Sequence, residues 1–183
     1  MPQSLVQTMQ AIIEPPYALP KVGAMFEIVE TAKTAKNKKV LIGGAQGFGF
    51  TLDQPTGGHS WKFIAKSPLS GVVSVCDGIW VFNYDSKNYI VVMDLKSNGN
   101  GSAFKQIKSG ILLCDWLCSL LTLNNHTHDT FEYIGLICKS RGAVAKKTTR
   151  KGLKADKTVI DGVPYLTVAN PGRLYVSDLV ELI

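Results

Sequence analysis

Cysteine and histidine are scarce in this chain, with four and three residues among 183. Cys76, Cys114, Cys118 and Cys138 make no disulfide framework at a length that folds without staples. Cys114 and Cys118 lie one helical turn apart, but no second pair sits at zinc-ligand spacing, so all four read as buried thiols. The longest apolar stretch, Ile111 to Leu123, is too short to span a bilayer and contains Asp115. The start, Met-Pro-Gln-Ser-Leu-Val-Gln, lacks the basic stretch and apolar run of a signal peptide. The expectation is a cytoplasmic protein with reduced thiols and no membrane association. Collagen-like, coiled-coil and low-complexity patterns are missing, and there is no internal repeat. Acidic residues are outnumbered 14 to 20 by Lys and Arg, leaving a net charge of +6. That favours a polyanionic partner and says nothing of fold.

What is present is ordinary globular material, 45% hydrophobic and 19% charged, enough for one domain with an appendage. Ser4 to Ile13 reads as an amphipathic helix ended by Pro15-Pro16. Val22, Met25, Phe26, Val29 and Ala32 recur at three- and four-residue spacing, which predicts a helix over 22–36. Strands are expected at 40–42, 61–65, 71–84, 89–96, 131–138, 163–168 and 174–183, and a long helix over 102–121.

The cluster Gly43-Gly44-Ala45-Gln46-Gly47-Phe48-Gly49 invites a phosphate-cradling reading. A dinucleotide fingerprint opens directly into a helix, and here Phe50-Thr51-Leu52-Asp53-Gln54-Pro55 follows. A flexible loop beside a binding cleft fits better. His59, His126 and His128 stand in polar loops and carry no assigned role.

The chemistry concentrates on two central strands. Asp94 and Lys96 share a face with Leu95 opposite, since side chains alternate along a strand. A hairpin turning near Asp85–Ser86 leaves residues 77 and 94 equidistant from the turn, so antiparallel pairing sets Asp77 across from Asp94. Two adjacent carboxylates repel and call for compensation. Mg²⁺ or Mn²⁺ supplies it, bound by one or two carboxylates, several waters and substrate phosphate oxygens. A nearby lysine then serves the attacking water or the phosphate. The plainer alternative is a surface Asp–Lys pair on an edge hairpin.

These residues carry a resemblance. Asp77 in Val-Cys-Asp-Gly-Ile-Trp-Val, then Asp94-Leu-Lys96 closing Ile-Val-Val-Met-Asp-Leu-Lys, then a helix, resembles the PD-(D/E)xK (restriction-endonuclease-like) nuclease superfamily over roughly residues 22–140. The resemblance implies an α/β fold with a central mixed β-sheet flanked by helices. It implies Mg²⁺ or Mn²⁺ on Asp77, Asp94 and the Leu95 carbonyl, with Lys96 catalytic. It implies Gln106, early in the following helix, and Glu30, on a helix before the sheet, as further site residues. Cys76 stands where the family name has proline, and Asp94 where Glu is more frequent. The implied activity is hydrolysis of phosphodiester bonds, in DNA rather than RNA, in an effector of a prokaryotic defence or mobile-element system or in a repair enzyme. The chain then divides into a helical extension over 1–21, a nuclease-like core over 22–140, and a basic segment with C-terminal strands over 141–183.

From Lys139 to Lys157 there are eight basic residues and one acid, so the rest of the chain sums to −1. Lys139, Arg141, Lys146, Lys147, Arg150 and Lys151 are the candidate phosphate contacts; a solvated basic loop is the alternative. The helix over 102–121 is apolar nearly all round. Ile107, Ile111, Cys114, Cys118 and Leu121 form one face, with Leu112 and Trp116 on the far side, so either the C-terminal segment or another chain must cover it. A homodimer or docking to a partner subunit is the corresponding expectation. The competing function is a non-catalytic nucleic-acid-binding subunit with structural carboxylates.

Overall fold

A computed structural model describes residues 4–30, 39–53, 71–97, 101–127, 129–140, 153–169 and 171–183. The class is α/β. Helix α1 (Leu5–Ile12) is closed at its start by a capping box between Ser4 and Gln7. Strands β1 (Lys21–Val22), β2 (Met25–Val29), β3 (Lys39–Gly43) and β10 (Arg173–Tyr175) form a four-stranded sheet, with β10 parallel to β3. Strands β4 (Gly47–Phe50), β5 (Gly78–Tyr84), β6 (Lys87–Lys96), β7 (Phe131–Lys139), β8 (Ala155–Ile160) and β9 (Val163–Ala169) form a six-stranded sheet in the order β4-β5-β6-β7-β9-β8. Its first three strands are an antiparallel meander, and β6, β7 and β9 run parallel. Helix α2 (Ala103–Leu123) crosses from β6 to β7, and α3 (Val176–Val180) follows β10.

Three layers result. One face of the six-stranded sheet, with Ile79, Val81, Ile90 and Val92, packs on α1 and α2. The other face, with Trp80, Phe82, Val91 and Met93, packs on Phe26, Ile28, Val40 and Ile42 of the smaller sheet and on α3. Both faces of β5 and β6 are therefore dry, which explains their nearly unbroken apolar runs. Gly110 permits the closest approach of α2: a Cβ there would lie 2.6 Å from Val92 Cγ1 and 2.8 Å from Cys76 Sγ.

The structure differs from the sequence expectations in several places. Residues 21–29 form a hairpin, not a helix. Gly23, at φ +62°, turns the chain back within two residues, and Phe26 and Ile28 are buried with a period of two. The helical pattern passed over Ile28, which is fully buried, and counted Val22 and Val29, which are exposed; the turn at Gly23 sets the strand period instead. The remainder of that expected helix, and the strand expected at 61–65, lie outside the described residues. The strand expected from Gly71 begins only at Gly78. Before it, the Ser74 and Val75 carbonyls accept from Ser109 and Gln106 of α2 instead of a neighbouring strand. The glycine cluster is not a loop throughout. Gly47 and Gly49 lie in β4, where a Cβ on Gly47 would stand 2.5 Å from Trp80 Nε1, so these glycines serve close packing. The C-terminal stretch is a three-residue strand and then a helix, burying Val176 and Leu179 at three-residue spacing. A second sheet, not a helical layer, backs the main sheet on one side.

Helix α2 buries Ile107, Ile111, Cys114, Cys118 and Leu121 as expected. It is long and apolar enough to cross a membrane by length and composition, but this face is its seat on β6 and β7. Of the C-terminal segment, α3 packs on the opposite side of the sheet, while Tyr165 meets Phe104 and Asp161 meets Lys108 of α2 without covering its outer face. Leu112, Trp116, Leu120 and Leu123 stay exposed.

Candidate functional site: a carboxylate–lysine centre at the end of the main sheet

The turn between β5 and β6 is two residues long, with Asp85 and Ser86 both at positive φ, the twist that suits a tight hairpin. The register that follows pairs Gly78 with Met93. One step further, the Asp77 amide donates to the same Met93 carbonyl at 3.0 Å, so the regular ladder ends at Gly78 and Asp77 lies beside Asp94, near enough to feel its charge, without being paired to it.

Asp77 is 5% exposed and accepts from the Leu95 amide at 2.5 Å through Oδ2. Burial first, and then the neighbouring Asp94 charge, push its carboxyl up to about 8. Asp94 is completely buried. Burial pushes its carboxyl up as well, opposed by Lys96, whose Nζ stands 2.6 Å from Asp94 Oδ2. Asp94 Oδ1 has no hydrogen-bond donor among the described residues. Lys96 Nζ also donates to Gln106 Oε1 at 2.7 Å, and Ser102 Oγ donates to the same oxygen. Gln106 in turn donates from Nε2 to the Val75 carbonyl at 3.1 Å. Asp94, Lys96 and Gln106 are thus one connected chain, and Asp77 is bonded to the strand between them. The Leu95 side chain is buried between the sheets.

Glu30 reaches this place from the end of β2, not from a helix. Gly78 explains how. A Cβ there would lie 3.1 Å from Ile28 Cγ1, so the bare glycine lets β2 close against the start of β5. Glu30, two residues beyond Ile28, then meets Asp77. A third carboxylate joins them. Asp53 follows β4, whose last residue, Phe50, pairs with Ile79, and carboxylate oxygens of Glu30, Asp53 and Asp77 lie within 4.8 Å of one another. Asp53 was hidden by reading residues 43–49 as a loop. The alternation Gly47-Phe48-Gly49-Phe50 is the signal for a strand that delivers it.

The donor set suits a hard divalent cation: among the described residues the group is made of carboxylate oxygens, one of them buried without a donor, while the nearby Cys76 and Cys138 thiols are pushed up by burial and then by the Asp77 and Asp94 charges. The four cysteines are buried thiols in the core. His126 is exposed beyond the far end of α2; His59 and His128 lie outside the described residues. Lys139 ends β7 opposite Lys96, on the same end of the sheet. Arg141, Lys146, Lys147, Arg150 and Lys151 lie outside the described residues. The chain leaves that end of the sheet after β7 and re-enters it at β8, whose Ala155 pairs with Val168 of β9.

Comparison with protein-family models, curated proteins and solved structures finds no match to this chain.

Proposed function

We propose that this chain is a Mg²⁺- or Mn²⁺-dependent nuclease that hydrolyses phosphodiester bonds, in DNA in preference to RNA, with a restriction-endonuclease-like core. The observation that carries the reading is the convergence of Asp77, Asp94, Lys96 and Gln106 at one sheet end, with a buried carboxylate oxygen left without a donor. The order hairpin, helix, parallel strand (β5, β6, α2, β7) supports the same reading.

In this reading Asp77, Asp94 and the Leu95 carbonyl hold the cation, and Glu30 stands beside them. The bound cation supplies Lewis acidity toward the phosphate and lowers the pKa of water. Lys96, a compact point charge, serves the attacking water or the scissile phosphate. Gln106 aims the Lys96 ammonium, because its own amide is pinned to Val75. Lys139 and the basic residues after it hold the phosphate backbone beside the site.

The test is incubation with labelled single- and double-stranded DNA and RNA in Mg²⁺, Mn²⁺ or EDTA. Cleavage that needs the metal and disappears in Asp94→Asn is the expected result. Binding without cleavage in every arm would favour a nucleic-acid-binding subunit. The observation on that side is that Lys96 already neutralises Asp94 at 2.6 Å.

A further inference from the structure

Asp53 belongs to no part of the resemblance, yet the fold places it in the carboxylate group. Three separate chain segments deliver Glu30, Asp53 and Asp77, and their oxygens fall within 4.8 Å. Two oxygens around one hard cation are separated by at most twice the metal–oxygen distance, about 4.2 Å for Mg²⁺ and about 5 Å for a larger ion, so the group needs at most a small contraction to close on Mg²⁺. Glu30 and Asp53 are half-buried and Asp77 is buried, so solvent reaches one side of the group.

A second observation comes from the inner wall. Asp94 lies beside Asp77, is fully buried, and has an Oδ1 that no described residue serves as donor. The charges of Asp94 and Glu30 both act on Asp77, and that of Glu30 acts on Asp94. Lys96 lies on Asp94 at 2.6 Å, on the inner side of this carboxylate group.

Resting on the reading of this place as a cation centre, we propose that Asp53 is a direct ligand of the cation. Glu30 and Asp53 join Asp77 in a three-carboxylate seat for Mg²⁺ or Mn²⁺, and Asp94, tied to Lys96 through Oδ2, keeps its place in the ligand set from the inner wall. Mg²⁺ sites that depend on substrate phosphates take one or two carboxylates from the protein. A seat with three holds its cation before any nucleic acid arrives.

The experiment is calorimetric titration of the metal-free full chain with MnCl₂, without nucleic acid, alongside melting curves with and without Mn²⁺. Wild type is expected to bind Mn²⁺ and to melt at a higher temperature with it. Asp53→Asn should weaken binding about tenfold or more, the scale on which ligand charge tunes cation affinity, and lose the Mn²⁺-induced rise in Tm. Asp53→Glu should recover most of both. If Asp53→Asn fails to melt cooperatively, Asp53→Ser takes its place. Unchanged Mn²⁺ affinity in a folded Asp53 variant overturns the proposal. So does a wild type that binds no Mn²⁺ at millimolar concentration yet cleaves in its presence with nucleic acid, an outcome that leaves the nuclease reading standing. Tight Mn²⁺ binding that depends on Asp53, without cleavage of any nucleic acid, supports the seat and defeats the nuclease reading.

Discussion

Two lysine–carboxylate pairs sit at opposite ends of β6. Lys87 meets Glu132 of β7 at 2.9 Å, with side chains 62% and 49% exposed. Lys96 meets Asp94 at 2.6 Å, with side chains 17% and 0% exposed. The groups are nearly the same, and burial separates them. Water and salt screen the first pair, and holding two long side chains together costs entropy. The second has lost its water, so every donor and acceptor around it must be accounted for. Gln106 and the Leu95 amide meet part of that demand, and Asp94 Oδ1 is left over. A screened pair links two inner strands at their solvent end; a dry pair with an unserved oxygen is a candidate site.

The sharpest way to break this comparison is at Lys96. As a mere counter-ion it could be replaced by arginine. As a point charge held between Asp94 and Gln106, it leaves no room for a broader guanidinium that is also a far weaker acid. Lys96→Arg is expected to bind substrate nearly as well as wild type and to lose about 10²-fold or more in cleavage, the scale of a positioned proton-transfer group. Lys96→Ala should lose as much or more. Wild-type rates in Lys96→Arg, measured in single turnover, would reduce Lys96 to a counter-ion like Lys87 and favour the non-enzymatic function.

Next in size is the packing that assembles the acidic group. Gly78→Val places side-chain atoms where Ile28 now sits 3.1 Å from the Cβ position. Overpacking of this kind costs about 1–3 kcal/mol, and it should push β2, and Glu30 with it, away from Asp77. Chemical denaturation and Mn²⁺ titration together check this. Lost stability with unchanged Mn²⁺ affinity would show that Glu30 is dispensable to the seat.

The pH dependence has a definite sign. The Asp77 carboxyl is pushed up to about 8 by burial and by Asp94, so the folded protein holds a proton that the unfolded chain gives up near its ordinary carboxylate value. This stabilising contribution is complete below about pH 4 and is lost as pH rises through about 8. Asp94, shifted the same way, adds to it. Tm of the metal-free protein in EDTA should therefore fall from about pH 5 to about pH 8. Asp77→Asn should flatten that fall. A Tm that rises over this range would contradict the burial of the two carboxylates.

The hairpin site was legible because its geometry is local. A two-residue turn at Asp85–Ser86 and continuous apolar strands on either side leave one register, and it carries Asp77 and Asp94 to the same end of the sheet, although the ladder slips by one residue at Asp77. Gln106 came from the resemblance alone, which implies a Gln or Lys early in the next helix. The rest depends on strand order. Nothing near Asp53 in sequence says that β4 pairs with β5, and only that pairing brings Asp53 to Asp77. Glu30 was selected as the flank of a helix and reaches the site from the end of a strand. Val22, Met25, Phe26 and Val29 fit a helix, and only the pair Phe26 and Ile28 fits the strand that the turn at Gly23 imposes. The six-stranded sheet also hid its backing layer, because β10, some 130 residues beyond β3 in the chain, pairs with it to complete the second sheet.

Smaller again is the effect expected of the basic segment. Neutralising Lys146, Lys147, Arg150 and Lys151 together should weaken nucleic-acid binding alike for all sequences. It should flatten the salt dependence by roughly 0.9 log units per lost phosphate contact on duplex DNA. An unchanged slope would make the segment a solvated loop.

The smallest expected effect is the control for the whole comparison. Lys87→Ala and Glu132→Ala, singly and together, remove the exposed pair at the far end of β6. Each side chain stands in solvent, the Lys87 ammonium has water as an alternative partner, and salt weakens what attraction remains. The hairpin register rests instead on the backbone ladder and on Tyr89, Val91 and Met93 packed beneath the smaller sheet. A double-mutant cycle should find coupling near the noise, vanishing in high salt, with cleavage and Mn²⁺ affinity unchanged. Strong coupling that survives high salt, or lost Mn²⁺ binding, would mean that the two ends of β6 communicate. Burial at the Lys96 end would then not suffice to explain why chemistry gathers there.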